Sequence, residues 1–115
     1  MAELVFTYGT LRKDSWNHGY ISDAKYIGSG KTVNSYTMTK NSIPYVIKEP
    51  NTRIVGELYE VTDFILNRLD GLEGHPQWYK RETVPVEVNG TIHDAWLYFY
   101  PIPQGDVVES GDFLR

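Results

Sequence analysis

The chain has 115 residues, an apolar share of 41% and a formal net charge of −4, which predicts one domain over residues 1–115 with a single core. The acidic balance, with no cluster of Lys or Arg, argues against a nucleic-acid groove, and no apolar run is long enough to span a bilayer. There is no cysteine, so disulfides, thiolate nucleophiles and Cys-ligated metals are excluded. We expect a cytoplasmic protein, since Met1-Ala2-Glu3 leads directly into the first predicted strand without a basic-then-apolar signal.

The first predicted strand covers Glu3 to Tyr8 and ends at a Gly-Thr pair. Its apolar residues are β-branched or aromatic, as strands favour. Gly9 permits a ligand to approach the backbone closely, and the amides of Gly9, Thr10 and Leu11 fall beyond the strand, where they are available to a carbonyl or carboxylate. A plain exit from strand to turn gives the same local pattern, so this segment by itself leaves both interpretations open.

A loop with one helical turn is predicted to follow. Asn17, a favourable N-cap residue, begins this turn, and Ile21 ends it. The next segment, Tyr26–Met38, is rich in Thr, Val and Tyr, which predicts a long extended strand. Gly28 and Gly30 within it predict a β-bulge or a sharp bend.

Two hairpins are predicted from turn signals. The first joins a short strand at Ile43–Ile47 to a returning strand at Arg53–Val61 through a turn at Lys48–Thr52. The second turns at Asn89-Gly90, between one alternating run over residues 84–88 and another over residues 91–100. Asn-Gly between two such runs is typical of a type I′ turn.

One helix is predicted from Asp63 to Leu72, with Thr62 or Asp63 as its N-cap. Ile65, Leu69 and Leu72 recur at i, i+4 and i+7 and give this helix one apolar stripe. Five or more short strands with one good helix predict a mostly β, α+β fold. We expect a small closed or nearly closed β-barrel with one or two flanking short helices, since closure removes exposed strand edges.

The end of this helix carries a candidate acid/base. Glu73 lies four residues after Leu69, so in a continuing helix it projects along the buried side. The helix macrodipole, the charge of Asp70 and burial would each raise the pKa of Glu73, which suits a general base near neutral pH. A solvated glutamate at a frayed helix end, terminated by Gly74, is the alternative.

The spacing of the residues does not support a metal site or a cofactor site. His18, His75 and His93 are too scattered for a metal site, and the sequence has neither a nucleophile elbow nor a dinucleotide-binding glycine pattern. We therefore expect no metal and no cofactor. Arg81 is a candidate for binding a substrate carboxylate through two hydrogen bonds, although an exposed strand-edge arginine or a structural ion-pair partner gives the same pattern.

Several motifs occur in an order that spans nearly the whole chain. Together they resemble the γ-glutamyl cyclotransferase-like family, and more closely its branch of γ-glutamylamine cyclotransferases and plant avirulence-induced proteins. The matching segments are Tyr8-Gly9-Thr10-Leu11-Arg12, Asn17-His18, Gly56-Glu57-Leu58-Tyr59-Glu60-Val61, Leu69-Asp70-Gly71-Leu72-Glu73-Gly74, Tyr79-Lys80-Arg81, Val84-Pro85-Val86, Trp96-Leu97-Tyr98 and Ser110-Gly111-Asp112-Phe113.

The resemblance implies a compact β-barrel with flanking helices and a cavity at one end. It also implies that the loop Tyr8-Gly9-Thr10-Leu11 holds a γ-glutamyl group, largely through its backbone, and that Glu73 transfers protons. Tyr79 and Arg81 belong to a matching motif and complete the predicted substrate-binding set. Asp14 stands where family members often have glycine, a departure that bears on substrate choice more than on chemistry.

The implied reaction is the intramolecular cyclisation of a γ-glutamyl amine or amide to 5-oxoproline, with release of the amine. Its partner is a small γ-glutamyl substrate, with no metal, cofactor, nucleic acid or membrane, and the oligomeric state stays open. The alternatives are a non-catalytic small-molecule-binding domain of the same fold, and the removal of a γ-glutamyl protecting group in a biosynthetic pathway.

Overall fold

A computed structural model describes residues 3–114, and in this range the chain is mostly β. The expectation of a cytoplasmic protein rests partly on Met1 and Ala2, which lie outside the described residues. The elements, in chain order, are β1 (Glu3–Thr7), a short 3₁₀ turn (His18–Tyr20), β2 (Lys25–Lys40), β3 (Pro44–Val61), α1 (Asp63–Glu73), β4 (Lys80–Val88), β5 (Thr91–Phe99) and β6 (Asp106–Val107). These elements confirm the predicted mostly β, α+β class.

Five of the strands form a closed ring. Hydrogen-bonded neighbours follow the order β3-β1-β5-β4-β2, and β2 pairs back with β3. The contact between β1 and β5 is parallel, at Val5 and Trp96, whereas the other pairings are antiparallel. Strand β6 adds to one end of β2. The ring closes the sheet, as expected, so each of these five strands pairs with a neighbour on both sides over at least part of its length.

Strand β3 replaces the first predicted hairpin. It runs through that whole region without reversing, and both of its halves pair with β2. The pairing steps from Tyr36 with Thr52 to Thr37 with Ile47, so the intervening residues of β3 bulge out of the ladder. The predicted reversal at Lys48–Thr52 is therefore wrong, because the Pro and Asn in that segment interrupt pairing without turning the chain back.

The other local predictions on the sheet are confirmed. Asn89 and Gly90 have φ angles of 53° and 76°, as a type I′ turn requires, and they join β4 to β5. In β2, the register shifts between Tyr26 and Gly28, which is the predicted irregularity.

Helix α1 lies close to its predicted bounds. The Thr62 hydroxyl accepts a hydrogen bond from the Ile65 amide at 3.2 Å, which confirms the cap. Ile65, Leu66 and Leu69 are buried, and Gly74 ends the helix in the left-handed region with φ 68°. None of the described helices combines the length and the apolar character needed to cross a membrane.

Two clusters of buried side chains form the core. Successive residues of β1 contribute to different clusters, as the alternation of a strand requires: Phe6 belongs to the cluster built from all five ring strands, and Val5 to the cluster that includes Ile65 and Leu69 of α1. Apolar packing therefore fixes α1 against the ring and brings the end of the helix near the end of β1.

Candidate active site

A cavity of about 250 Å³ lies where the end of β1 meets the end of α1. The last residues of β1 and the loop after it form one wall, and α1 contributes its final two residues. The start of β3, the residue before β4 and one residue of β5 complete the enclosure. The lining residues are Phe6, Thr7, Tyr8, Gly9, Thr10, Leu11, Asn17, Ile43, Pro44, Leu72, Glu73, Tyr79 and Tyr98.

The loop after β1 brings three unpaired backbone amides to the cavity wall. Within residues 3–114, the N–H groups of Gly9, Thr10 and Leu11 donate no hydrogen bond to the protein. Unpaired N–H groups of this kind are available to an oxygen of a ligand. Gly9 also packs against Pro44, since a Cβ at position 9 would lie 2.5 Å from the Pro44 Cγ. The close approach of the loop to β3 therefore requires glycine at this position.

Arg12 anchors this loop from the buried side. Its Nη1 donates to Asp112 Oδ1 at 2.7 Å, and its Nε lies 3.6 Å from Glu57 Oε2. The other oxygen of Glu57 accepts hydrogen bonds from the Lys13 amide and the Tyr59 hydroxyl, both at 2.9 Å. The network joins the loop to β3 and to the C-terminal segment, so the positions of the loop amides are fixed by buried polar contacts.

Asn17 secures the far end of the same loop. Its Nδ2 donates to the Thr10 hydroxyl at 3.0 Å, and its backbone N–H donates to the Thr10 carbonyl at 2.9 Å. The predicted helical turn is present at His18–Tyr20, but the Asn17 side chain makes no capping hydrogen bond. The predicted capping role is therefore wrong, because the loop folds back and engages this side chain through Thr10.

Glu73 is the last residue of α1 and lies in the cavity wall. After it, Gly74 turns the chain, and a Cβ at position 74 would lie 2.5 Å from Trp78 Cδ1. Burial raises the pKa of the Glu73 carboxyl from its ordinary 4.5 to about 7. Among residues 3–114, no hydrogen-bond donor or cation contacts this carboxylate to offset its burial.

Three tyrosines lie close to Glu73. Tyr8 donates its hydroxyl hydrogen to the Tyr98 carbonyl at 2.6 Å, Tyr79 donates to a backbone carbonyl of β3 at 3.0 Å, and Tyr98 donates to Asp70 Oδ1 at 2.7 Å. Burial is the main cause that raises the pKa of all three phenols, and the nearby charge of Glu73 adds to it. At neutral pH the three hydroxyls are therefore uncharged, and each is engaged with the protein.

Arg81 lies outside the cavity lining, in an ion pair with Asp70. Its Nε donates to Asp70 Oδ1 at 2.8 Å and its Nη2 to Oδ2 at 3.1 Å. Burial would raise the pKa of Asp70, but the hydrogen bonds from Arg81 and Tyr98 outweigh it and lower that pKa. Of the alternatives for Arg81, the structural ion pair is the one present. Burial, and not the charge of Asp70, raises the pKa of Glu73.

Six of the seven predicted site residues lie together. Sequence reasoning misses Asn17 and Tyr98 as lining residues, although a signal exists for each. Asn17 follows the loop closely in the chain, and Tyr98 stands in an aromatic strand within a matching motif. The six predicted residues that line the cavity are Tyr8, Gly9, Thr10, Leu11, Glu73 and Tyr79.

Two of the three histidines, His18 and His75, make separate local contacts. His18 Nδ1 lies 3.0 Å from the Leu11 carbonyl oxygen, whereas His75 Nδ1 accepts a hydrogen bond from the Arg81 amide at 3.2 Å. Over the part of the chain that the structure describes, no three His, Asp or Glu side chains are grouped as ligands of a metal ion.

Comparison with known proteins gives consistent matches over most of the chain. The sequence model of the family "Gamma-glutamyl cyclotransferase, AIG2-like" matches residues 5–115. A Methanocaldococcus jannaschii protein provisionally named a γ-glutamylcyclotransferase is 51% identical over 114 residues, which cover 96% of this chain and 95% of that protein. The Danio rerio protein named γ-glutamylaminecyclotransferase C is 31% identical over 110 residues, covering 82% of this chain and 72% of that protein.

A solved structure of an AIG2-like protein from Mus musculus has the same fold. It superposes with a TM-score of 0.80 at 29% identity, covering 85% of this chain and 76% of that chain.

Proposed function

The chain belongs to the γ-glutamyl cyclotransferase, AIG2-like family, and from this premise we propose that it converts a γ-glutamyl amine or amide to 5-oxoproline and releases the amine, with Glu73 as acid and base. One observation carries the proposal. The Glu73 carboxyl, whose pKa burial raises to about 7, lines the same small cavity as three unpaired backbone amides.

The substrate of this reaction supplies its own nucleophile. The α-nitrogen of a γ-glutamyl group is tethered to the γ-carbonyl that it attacks, so closure of the five-membered ring is intramolecular. A cavity that folds the chain of the substrate into the attacking shape supplies a large part of the rate. The protein then has two remaining tasks, which are to move protons and to stabilise the oxygen that becomes negative.

The proton balance of the reaction requires a group that both accepts and donates protons. The substrate begins with an ammonium group, the lactam nitrogen of the product keeps one hydrogen, and the leaving amine departs as an ammonium ion. Two protons therefore pass from the α-nitrogen to the leaving nitrogen, and the carbon–nitrogen bond of the amide breaks as the lactam bond forms. Glu73 carries them one at a time, and a pKa near 7 suits both directions of transfer.

The other lining groups support this assignment. Glu73 is the single carboxylate in the lining, which holds no Lys, Arg or His among the described residues. The α-carboxylate of the substrate and the oxyanion of the intermediate must then be held by neutral donors. The amides of Gly9, Thr10 and Leu11 are unpaired donors in that lining, and backbone amides of this kind stabilise anions without cost of reorganisation.

Cavity size limits which part of the substrate is enclosed. A volume of about 250 Å³ is below the ~300–1,000 Å³ that pockets for drug-sized ligands occupy. The enclosed part is therefore a small acyl group, and the amine extends through the opening of the cavity.

Glu73→Gln tests the proposal, since the change keeps the shape of the side chain and removes the base. Release of 5-oxoproline from a panel of γ-glutamyl amides should fall at least about a hundredfold, the lower range for general acid–base catalysis. Glu60→Gln, at an exposed residue of β3, is the matched control and should retain activity. Near wild-type release by Glu73→Gln would show that the mechanism is wrong.

A second measurement separates the enzyme from a binding domain of the same fold. The panel is also tested by thermal shift, because a ligand that binds the folded state raises Tm. A raised Tm with no 5-oxoproline from any compound would favour the non-catalytic domain. Product release with a kcat/KM that rises as Glu73 ionises near pH 7 would favour the enzyme.

A further inference from the structure

An open groove of about 410 Å³ adjoins the cavity at Glu73. We propose that this groove binds the leaving amine, and that its aromatic walls select an amine with an apolar, and best an aromatic, stem. The inference rests on the proposed function, because it assigns the part of the substrate that the cavity does not enclose.

The groove and the cavity adjoin along a shared wall. Ile43, Leu72, Glu73 and Tyr79 line both of them. A γ-glutamyl group that is enclosed in the cavity therefore has its amide bond beside Glu73 and its amine directed along the groove. Because Glu73 belongs to both linings, the scissile bond then lies at the residue that must protonate the leaving nitrogen.

The groove is walled by aromatic rings that hold each other in place. Tyr45 stacks on Tyr79 with ring centroids 5.8 Å apart and planes 3° apart, and the Tyr100 ring contacts both edge-on, at 4.7 Å and 5.0 Å. Rings positioned by one another offer a rigid apolar surface at little entropic cost. Such a surface binds an apolar or aromatic stem better than a strongly hydrated one.

Trp78 forms the outer side of the groove and is largely exposed. Trp78 is 65% exposed, although its ring packs on Gly74 and its backbone amide donates to the Gly74 carbonyl at 2.8 Å. The ring is therefore held in place at the groove and open to a ligand there. An aromatic stem in the groove would bury part of this ring.

Charge in the groove disfavours an anionic stem. Glu73 is the single charged side chain in its lining, and no cation among the described residues lines it. A carboxylate next to the leaving nitrogen, as in an amino acid, would lie near Glu73 without a compensating cation. An amine without that carboxylate avoids the repulsion.

Two synthetic substrates test the proposal with purified protein. γ-Glutamyl-2-phenylethylamide has a stem that fills the groove, and γ-glutamyl-methylamide has almost none. Trp78→Ala should lower kcat/KM for the phenylethylamide roughly three- to tenfold relative to kcat/KM for the methylamide, as loss of an aromatic contact predicts. Phe64→Ala, which truncates a 73% exposed ring away from the groove, is the matched control and should change neither.

A binding measurement gives the same information without turnover. In the Glu73→Gln background, γ-glutamyl-2-phenylethylamide should shift the fluorescence of Trp78 to shorter wavelength, and adding Trp78→Ala should abolish this shift. Product from both substrates with an unchanged ratio of kcat/KM in Trp78→Ala would overturn the groove assignment alone. No 5-oxoproline from either substrate would overturn the proposed function and, with it, the groove assignment.

Discussion

Replacing Glu73 by Gln should make the protein more stable than the wild type, increasingly so as the pH rises. The pKa of Glu73 is about 7 in the folded protein, whereas its ordinary value of 4.5 applies to the unfolded chain. Between these two pH values the unfolded chain has lost a proton that the folded protein keeps. The folded state therefore binds more protons, and its stability falls as the pH rises through this interval. Glutamine carries no charge, so the variant does not share this loss.

The size of this stability loss follows from the width of the pH interval between the two pKa values. Each pH unit over which only the folded state keeps the proton costs about 1.4 kcal/mol. From pH 4.5 to about 7, the wild type should lose about 3 kcal/mol relative to the variant. Below this interval Glu73 is protonated in both the folded and the unfolded state, and above it Glu73 is ionised in both. The difference in stability between wild type and variant is therefore constant with pH at each end. A loss of this size is a substantial part of the stability of a small domain.

Urea unfolding at a series of pH values measures the difference directly, because the free energy of unfolding is obtained by linear extrapolation at each pH. Glu60→Gln is the control, since this exposed residue carries no buried charge and should follow the wild type at every pH. A difference between wild type and Glu73→Gln that is the same at every pH would refute the reasoning, because the carboxyl would then ionise equally in both states.

Three further predictions concern the loop and the ion pairs around it. Gly9→Ala should raise KM roughly tenfold and lower stability by about 1–3 kcal/mol, because the new methyl would lie 2.5 Å from the Pro44 ring; kinetics and urea unfolding measure the two effects. Arg12→Met should lower the free energy of unfolding by about 3–5 kcal/mol, since it removes a buried cation that contacts both Asp112 and Glu57. Arg81→Gln should lower stability by about 1–3 kcal/mol and leave KM unchanged, since Arg81 pairs with Asp70 outside the cavity.

Each of these predictions has a result that contradicts it. Thr10→Ala removes a hydroxyl contact but keeps the loop backbone, so an equal rise in KM at Thr10 and Gly9 would contradict a role of the amides. Arg12→Met with wild-type stability would contradict the buried network. Arg81→Gln with raised KM and unchanged stability would return Arg81 to the substrate-binding set.

Local signals predict the fold wherever one short segment determines the conformation. The Thr62 cap, the apolar stripe of α1 and the Asn89-Gly90 turn are each complete within a few residues, and all are confirmed. The segment Lys48–Thr52 differs, because its effect depends on a partner strand elsewhere in the chain. Pro and Asn correctly indicate a break in pairing there, but only the register with β2 shows that the chain continues forward.

In the candidate site, too, a contact with a distant part of the chain could not be predicted from local sequence. The raised pKa of Glu73 is confirmed in direction, and the contribution of Asp70 to it is not found. From the helix alone, Asp70 looks like a free charge three residues from Glu73. Its ion pair with Arg81 joins α1 to β4, and no local pattern predicts which basic residue a carboxylate meets across the fold.

The pKa values of two carboxylates at one helix end are therefore shifted in opposite directions by their surroundings. Asp70 accepts two hydrogen bonds from Arg81 and one from Tyr98, and its pKa is lowered, so it remains an anion with a structural role. Glu73 has no such partner among residues 3–114 and is buried, so its pKa is raised into the range of proton transfer. By keeping Asp70 ionised, Arg81 leaves Glu73 as the carboxylate of this helix end, among residues 3–114, that changes charge near neutral pH. In the proposed reaction, Arg81 therefore acts without contacting the substrate, by keeping the second acid out of the proton transfer.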